Sequence, residues 1–149
     1  MANDPRLFRL CSRLVVGIYG RAPIFGELRS SVGVIRQGDR YLLQHRNDDL
    51  GWSFPGGMAW FWETEVQTLH REVFEETGLR VRGERRLLVY SDRRFVPSRI
   101  TVFAAEAEGE LRGSWEGDVE WLPLDAVRAG LFPPHQAIVD WLDRQAAAV

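Results

Sequence analysis

The stretch from Thr64 to Gly78 constrains this chain most, because it is punctuated as a helix at both ends and carries acid along one side. Thr64 followed by Gln67 has the form of a capping box, in which each side chain bonds the other residue's backbone N–H. Gly78 suits the left-handed residue that closes a helix. The expected helix is Glu65–Thr77. At about 100° per residue, Val66, Leu69, Val73 and Thr77 share one sector that reads as the core stripe, flanked by His70 and Phe74. Glu72, Glu75 and Glu76 occupy a second sector about 100° wide, with Arg71 just beyond Glu75 and Glu76 bordering the stripe.

This acidic face breaks local rules. Glu72 repels Glu76 at i,i+4 and Glu75 at i,i+3, at a few tenths of a kcal/mol per pair. Glu75 and Glu76 also lie in the last turn, where the helix dipole disfavours anions by roughly 0.3–1 kcal/mol each. One arginine does not offset the sum. Two readings follow from the residues: a solvated acidic face, or a site for a hard divalent cation such as Mg²⁺, which prefers oxygen ligands. Local rules broken together are expected at functional sites.

The rest of the chain reads as one domain. Its 149 residues are 45% hydrophobic and 27% charged, enough to build a core. A formal net charge of −2 argues against attachment to duplex nucleic acid or membrane by bulk charge. A single cysteine, Cys11, excludes an internal disulfide or a multi-cysteine zinc site, and reads as a small buried hydrophobe. In residues 1–28, arginines interrupt any leader-like apolar core, which points to the cytoplasm. Leu7, Leu10, Leu14 and Ile18 recur there at helical spacing after Asp4-Pro5, as in a helix docked on the domain.

From residue 29 to 149, SVGVIRQGDRYLLQH reads as a hairpin around Gln37-Gly38-Asp39, and WSFPGGM as a short strand entering a turn at Pro55-Gly56-Gly57. LLVY, RITVFAAEA and VEWLPL read as strands, and PHQAIVDWLDRQAAAV as a closing helix. Helices interleaved with strands and hairpins indicate an α/β sandwich with a mixed sheet.

The residues around the acidic helix carry a resemblance. Gly57 is followed after five residues by Glu63, and after seven more by Arg71-Glu72; Val73, Glu75, Glu76, Gly78 and Leu79 complete the pattern. This resembles the Nudix box, GX5EX7REUXEEXGU with U apolar, at every defined position. FPGG before it, SRITVF after it, and WEGDVEWLPL and LFPPHQAIVDWL resemble segments of the MutT branch, so the likeness spans about residues 31–143.

The resemblance implies a Nudix-type α/β/α sandwich, preceded by the N-terminal helix, and a hydrolase that cleaves the diphosphate linkage of a nucleoside diphosphate derivative with Mg²⁺ or Mn²⁺. It implies Glu72, Glu75 and Glu76 as metal ligands, joined by a carbonyl of Gly56 or Gly57. Arg71 would orient a box carboxylate such as Glu63. Glu72 is the first candidate for the base that activates water; Glu116, in a later loop, is the second, ahead of Asp118 and Glu120. Arg46 and Gln136 resemble nucleotide-facing positions of the MutT branch. Arg99, with Arg93 and Arg94, is a candidate phosphate contact, or a solvated loop charge.

The box also departs from its relatives. Trp62 stands where a small residue is usual, in the run Met58-Ala59-Trp60-Phe61-Trp62. Trp60 and Trp62 are therefore open to three readings: stacking on a nucleobase, packing under the N-terminal helix, or a homodimer contact. Three functions stay in view: hydrolysis of a nucleoside triphosphate, the same chemistry on a nucleotide sugar, dinucleoside polyphosphate or RNA 5′ end, and a non-catalytic nucleotide sensor. Prenyl-diphosphate isomerase fits poorly, since no suitably placed catalytic cysteine is present.

Overall fold

The computed structural model describes residues 5–19 and 26–149, except the side chains of Pro5, Phe8, Ser12, Val15 and Val16. Asp4, the expected start of the first helix, lies outside them. Helix α1 runs Pro5–Tyr19. A hairpin follows, β1 (Leu28–Gln37) and β2 (Arg40–Arg46), turning at Gly38 with φ 63°. Then come β3 (Trp52–Ser53), β4 (Gly56–Met58) and helix α2 (Glu65–Thr77). Strands β5 (Arg80–Asp92), β6 (Ser98–Glu108) and β7 (Gly117–Leu122) lead through 3-10 turns to α3 (Gln136–Ala147).

The strands form one mixed sheet in the order β3-β2-β1-β6-β5, with β4 added to β1 and β7 to β2. The β1–β6 pair is parallel, from Leu28↔Ser98 to Ile35↔Ala105, and the other strand pairs are antiparallel. Alternation along β1 and β6 sends Val32, Val34, Ile100 and Val102 to one face, where they pack with Ile138 and Val139 of α3. Ile35, Phe103 and Ala105 turn to the other face and meet Leu69 and Val73 of α2. The result is the expected α/β/α sandwich.

Helix α2 is seated by its caps and by one close approach. Thr64 Oγ1 accepts from Gln67 N at 3.2 Å while Gln67 Oε1 accepts from Thr64 N at 2.9 Å, completing the capping box. Gly78 closes the helix at φ 76°. Gly33 on β1 lets the helix settle onto the sheet: a Cβ there would lie 3.1 Å from Leu69 Cδ1. Leu69 is fully buried in this contact. Leu69→Ala is expected to cost about 2–5 kcal/mol, read as a lower midpoint in denaturant unfolding with an unchanged slope.

The structure corrects several expectations. The helix is rolled toward its acidic side, so its buried set is Thr68, Leu69, Glu72, Val73, Glu76 and Thr77. Val66 is exposed, and His70, expected beside the core, is exposed with Nε2 3.0 Å from Glu84. Pro55-Gly56-Gly57 is no simple turn, because Gly56 and Gly57 pair as β4 with Val32 and Ser31. Strand β5 is far longer than LLVY; it sits at the sheet edge, where Arg82, Glu84 and Arg86 break the apolar alternation without being buried.

Helix α1 also differs from expectation. Arg9 Nη1 reaches Asp49 Oδ2 at 3.3 Å, and Tyr19 Oη donates to the Gly26 carbonyl at 3.0 Å. These ties are polar, and Leu7, Leu10, Leu14 and Ile18 point outward, 49–66% exposed. The leucine stripe therefore does not dock on the domain. Cys11, expected to be buried, is exposed.

Candidate active site

The rolled seating of α2 carries two of its carboxylates inward, where β4 receives them. Glu76, only 3% exposed, accepts from the Gly56 backbone N–H through Oε2 at 2.8 Å. Glu72 lies against Gly57, where a Cβ would come within 2.6 Å of its carboxyl carbon. A side chain at 57 would displace the Glu72 carboxylate from the space it fills. Gly57→Ala is expected to leave the unfolding midpoint nearly unchanged, because a side chain rather than backbone gives way. It should weaken divalent-cation binding about tenfold, measured by calorimetric titration with Mg²⁺.

Arg71 holds this side of the site together. Its guanidinium donates to Glu63 through Nε at 2.6 Å and Nη2 at 2.9 Å, to Glu72 Oε1 through Nη1 at 2.6 Å, and to Glu75 Oε2 at 3.2 Å. It also reaches the Met58 carbonyl at 2.9 Å. Glu63 answers by accepting from Trp60 N and Thr68 Oγ1. The expected Arg71–Glu63 orienting pair is present, and its hydrogen bonds lower the Glu63 pKa to about 2.

The remaining acid arrives from a turn ahead of β7. Glu116 joins Glu75 and Glu76 in lining a cleft of about 240 Å³, with Ser114 and Trp115 completing the lining. Burial raises the Glu116 carboxyl, with Glu75 and Asp48 adding to the rise. Glu76 is pushed well above its usual range, first by burial and then by the charges of Glu116 and Glu72. Glu72 rises to about 7, chiefly by burial and against the pull of Arg71. Carboxylates gathered in this way favour a cation.

The donor set fits a hard divalent ion by its chemistry: buried carboxylate oxygens converge, with their charge only partly offset by Arg71. Among the described residues, no three Asp, Glu, His or Cys side chains are already spread as a ligand shell. Arg71 Nη1 bridges Glu72 and Glu75 instead.

The other expected site residues are dispersed. Arg46 stands close enough for its charge to act on Glu76 and Glu116, yet it is engaged by the nearly buried Asp48 and lies 4.4 Å over the Phe132 ring. Gln136 donates to Asp140 Oδ1 at 2.9 Å on its own helix, and Arg99 is exposed on β6 beside Arg29; neither lines the cleft. Trp60 and Trp62 stack on each other with ring centroids 5.8 Å apart, and Arg71 lies 5.6 Å from the centre of Trp60. Trp62 is 76% exposed, so packing beneath α1 does not account for it.

Sequence reasoning missed four residues that shape the site. Arg29 pins the Glu63 carbonyl at 3.0 Å and the Trp60 carbonyl at 3.3 Å. Asn47 pins the 114–117 turn, with its backbone N–H on the Glu116 carbonyl and its Nδ2 on that of Trp115. Trp115 lines the cleft itself. His135 is buried, accepts from Phe54 N through Nδ1 at 3.1 Å, and is held neutral, burial lowering its pKa to about 3. The only signal for any of them is proximity to Glu116 or to FPP.

Fold and site together define an α/β/α sandwich that gathers carboxylates at the far end of one helix, over a glycine strand. Residues 27–142 match the family described as NUDIX domain, and the chain belongs to that family. It is 34% identical over 97 residues to the CMP-5′-(N-acetyl-N-hydroxy-3-aminopropyl)phosphonate hydrolase of Streptomyces rubellomurinus, covering 60% of this chain and 47% of that protein. It is 36% identical over 98 residues to a MutT-like protein of Streptomyces ambofaciens, covering 63% of this chain and 62% of the relative. The chain thus spans about half to three fifths of these curated relatives. The crystal structure of the MutT protein from Bacillus halodurans superposes with a TM-score of 0.60 at 27% identity, over 70% of this chain and 74% of that one.

Proposed function

We propose that this protein is a divalent-cation-dependent pyrophosphohydrolase that cleaves the diphosphate linkage of a nucleotide derivative. The observation that carries the reading is the cleft lined by Glu75, buried Glu76 and Glu116, with buried Glu72 close enough for its charge to act on Glu76. Nudix hydrolases generally use divalent metals, and Mg²⁺ or Mn²⁺ is the ion proposed here. A substrate carrying a diphosphate suits the site, because a cation shared with its oxygens balances the surplus acid.

Each residue has a part in this reading. Glu72, Glu75 and Glu76, with a carbonyl of Gly56 or Gly57, would hold the ion, which when bound neutralises phosphate charge and acidifies water. Arg71 fixes the Glu72 rotamer, and Glu63 fixes Arg71. Glu72 takes the proton of the attacking water, with Glu116 as the second candidate for that role. The water oxygen bonds to phosphorus, the anhydride P–O bond breaks, and the leaving phosphate departs as an anion. Arg46, Gln136, Arg99, Trp60 and Trp62 remain proposed contacts to the nucleotide, reached around the cleft rather than within it.

No helix among the described residues is long and apolar enough to cross a membrane, and the cytoplasm is the proposed compartment. Incubation with Mg²⁺ and a panel of nucleoside triphosphates, nucleotide sugars, dinucleoside polyphosphates, capped RNA and a CMP-linked phosphonate tests the function. Release of a nucleotide and a phosphate-bearing product from at least one member is expected. Tight binding without turnover across the panel would replace this reading with that of a sensor.

A further inference from the structure

The cleft is asymmetric in its chemistry: three of its five lining residues are carboxylates, and Trp115 is its one aromatic wall. Trp115 is 37% exposed, on a turn built to hold a fixed shape. Ser114 N donates to the Gly117 carbonyl at 3.0 Å, Gly117 N returns to the Ser114 carbonyl at 3.3 Å, and Glu116 N donates to Ser114 Oγ at 3.1 Å. Asn47 clamps the turn from outside, through its N–H on the Glu116 carbonyl at 2.8 Å and Nδ2 on the Trp115 carbonyl at 2.9 Å. Gly117 seals it against β2, since a Cβ there would come 2.1 Å from the His45 carbonyl oxygen. These backbone and side-chain contacts fix the turn that presents one indole beside the acids.

We propose that Trp115 is a specificity-determining residue that stacks on the planar base of a nucleotide whose phosphates lie over Glu75, Glu76 and Glu116. This rests on the hydrolase reading and adds to it the element that separates nucleotides from other diphosphates. Carboxylates and a cation recognise phosphate charge and cannot sense what the phosphate is attached to. An aromatic wall can, because every nucleobase has a π-face. Trp60 and Trp62 are less suited to that role, since neither lines the cleft.

The test is calorimetric binding in Mg²⁺ of a nucleoside triphosphate analogue with a methylene α,β-bridge, compared with tripolyphosphate, which has no base. Trp115→Ala should weaken the analogue about tenfold, a loss of about 1.4 kcal/mol, while changing tripolyphosphate less than about twofold. Trp115→Phe, which keeps a ring, should recover most of the loss. Asn47→Ala, which removes the Nδ2 tie to the turn but keeps the indole, should fall between. Equal loss on both ligands, or no loss on the analogue, would overturn the assignment. If the unmodified protein binds the analogue but never hydrolyses its parent nucleotide, the hydrolase reading fails while the Trp115 assignment stands on the binding difference. If it hydrolyses the parent and Trp115→Ala binds as tightly, the assignment alone fails.

Discussion

Glu76→Gln is expected to abolish cation-dependent hydrolysis, by about a thousandfold or more, and yet to raise the melting temperature of the metal-free protein. The two effects come from one side chain. Glutamine keeps the shape of Glu76 and the oxygen that accepts from Gly56 N at 2.8 Å. It removes a carboxyl that is 3% exposed and whose ionisation is opposed first by burial and then by the charges of Glu116 and Glu72. Without a cation that charge is unfavourable in the fold, so its loss relieves the folded state. With a cation the same charge is a ligand, and several kcal/mol of transition-state stabilisation go with it. Product release by chromatography and thermal unfolding in chelator measure the two halves. Glu75→Gln should lose activity in the same way, but its side chain is 58% exposed, so it should gain little stability. Wild-type turnover in both variants would remove the carboxylates from the mechanism.

The metal-free protein should also lose stability on the alkaline side of a window set by Glu72. The Glu72 carboxyl is raised from 4.5 to about 7. Below about pH 4.5 it is protonated in both folded and unfolded chains, and its contribution is complete. Between about 4.5 and 7 the unfolded chain gives up the proton and the folded one retains it, so stability falls as pH rises. His135, lowered to about 3, acts with the opposite sign: its contribution is complete above about pH 6.5 and is lost as pH falls toward 3. The two oppose each other over part of the range, so the informative quantity is the stability of Glu72→Gln minus that of the unmodified protein. That difference should be flat below about pH 4.5, grow toward pH 7 to roughly 3 kcal/mol, and level off above. Saturating Mg²⁺ should reverse it by stabilising only the protein that keeps the carboxylate. A difference independent of pH would mean that Glu72 titrates normally.

The parts of this molecule that are legible in the sequence are those fixed by neighbours along the chain. Thr64, Gln67 and Gly78 punctuate α2 from within or beside its own ends, and the helix boundaries follow from them. The Arg71–Glu63 pair is legible because a box spacing places both on one short segment. The roll of the helix is not, because it depends on Gly33 and β4 on the sheet. Periodicity therefore turns Val66 and His70 inward, whereas both lie outward. Glu116 is legible through its likeness to a loop position, whereas Asn47 and Arg29 hold the site through carbonyls and leave no pattern in their own side chains. The leucines of α1 repeat at helical spacing whichever way the helix faces, so periodicity alone does not decide whether they are covered.

The Arg29 and Arg71 contacts have a consequence for how this protein tolerates change. The segment that enters α2 is fastened by its own carbonyls, at Met58, Trp60, Phe61 and Glu63, and by the Glu63 carboxylate. Those hydrogen bonds are accepted by backbone oxygens and by the Glu63 carboxylate, whatever side chain stands at 60 or 62. The hydrogen bonds that set the entry to α2 therefore survive a change of side chain at 60 or 62, where Trp60 and Trp62 add their mutual stack and the contact of the Trp60 ring with Arg71. A lineage could refit the outer approach to its acidic cleft many times over while the cleft itself stood still.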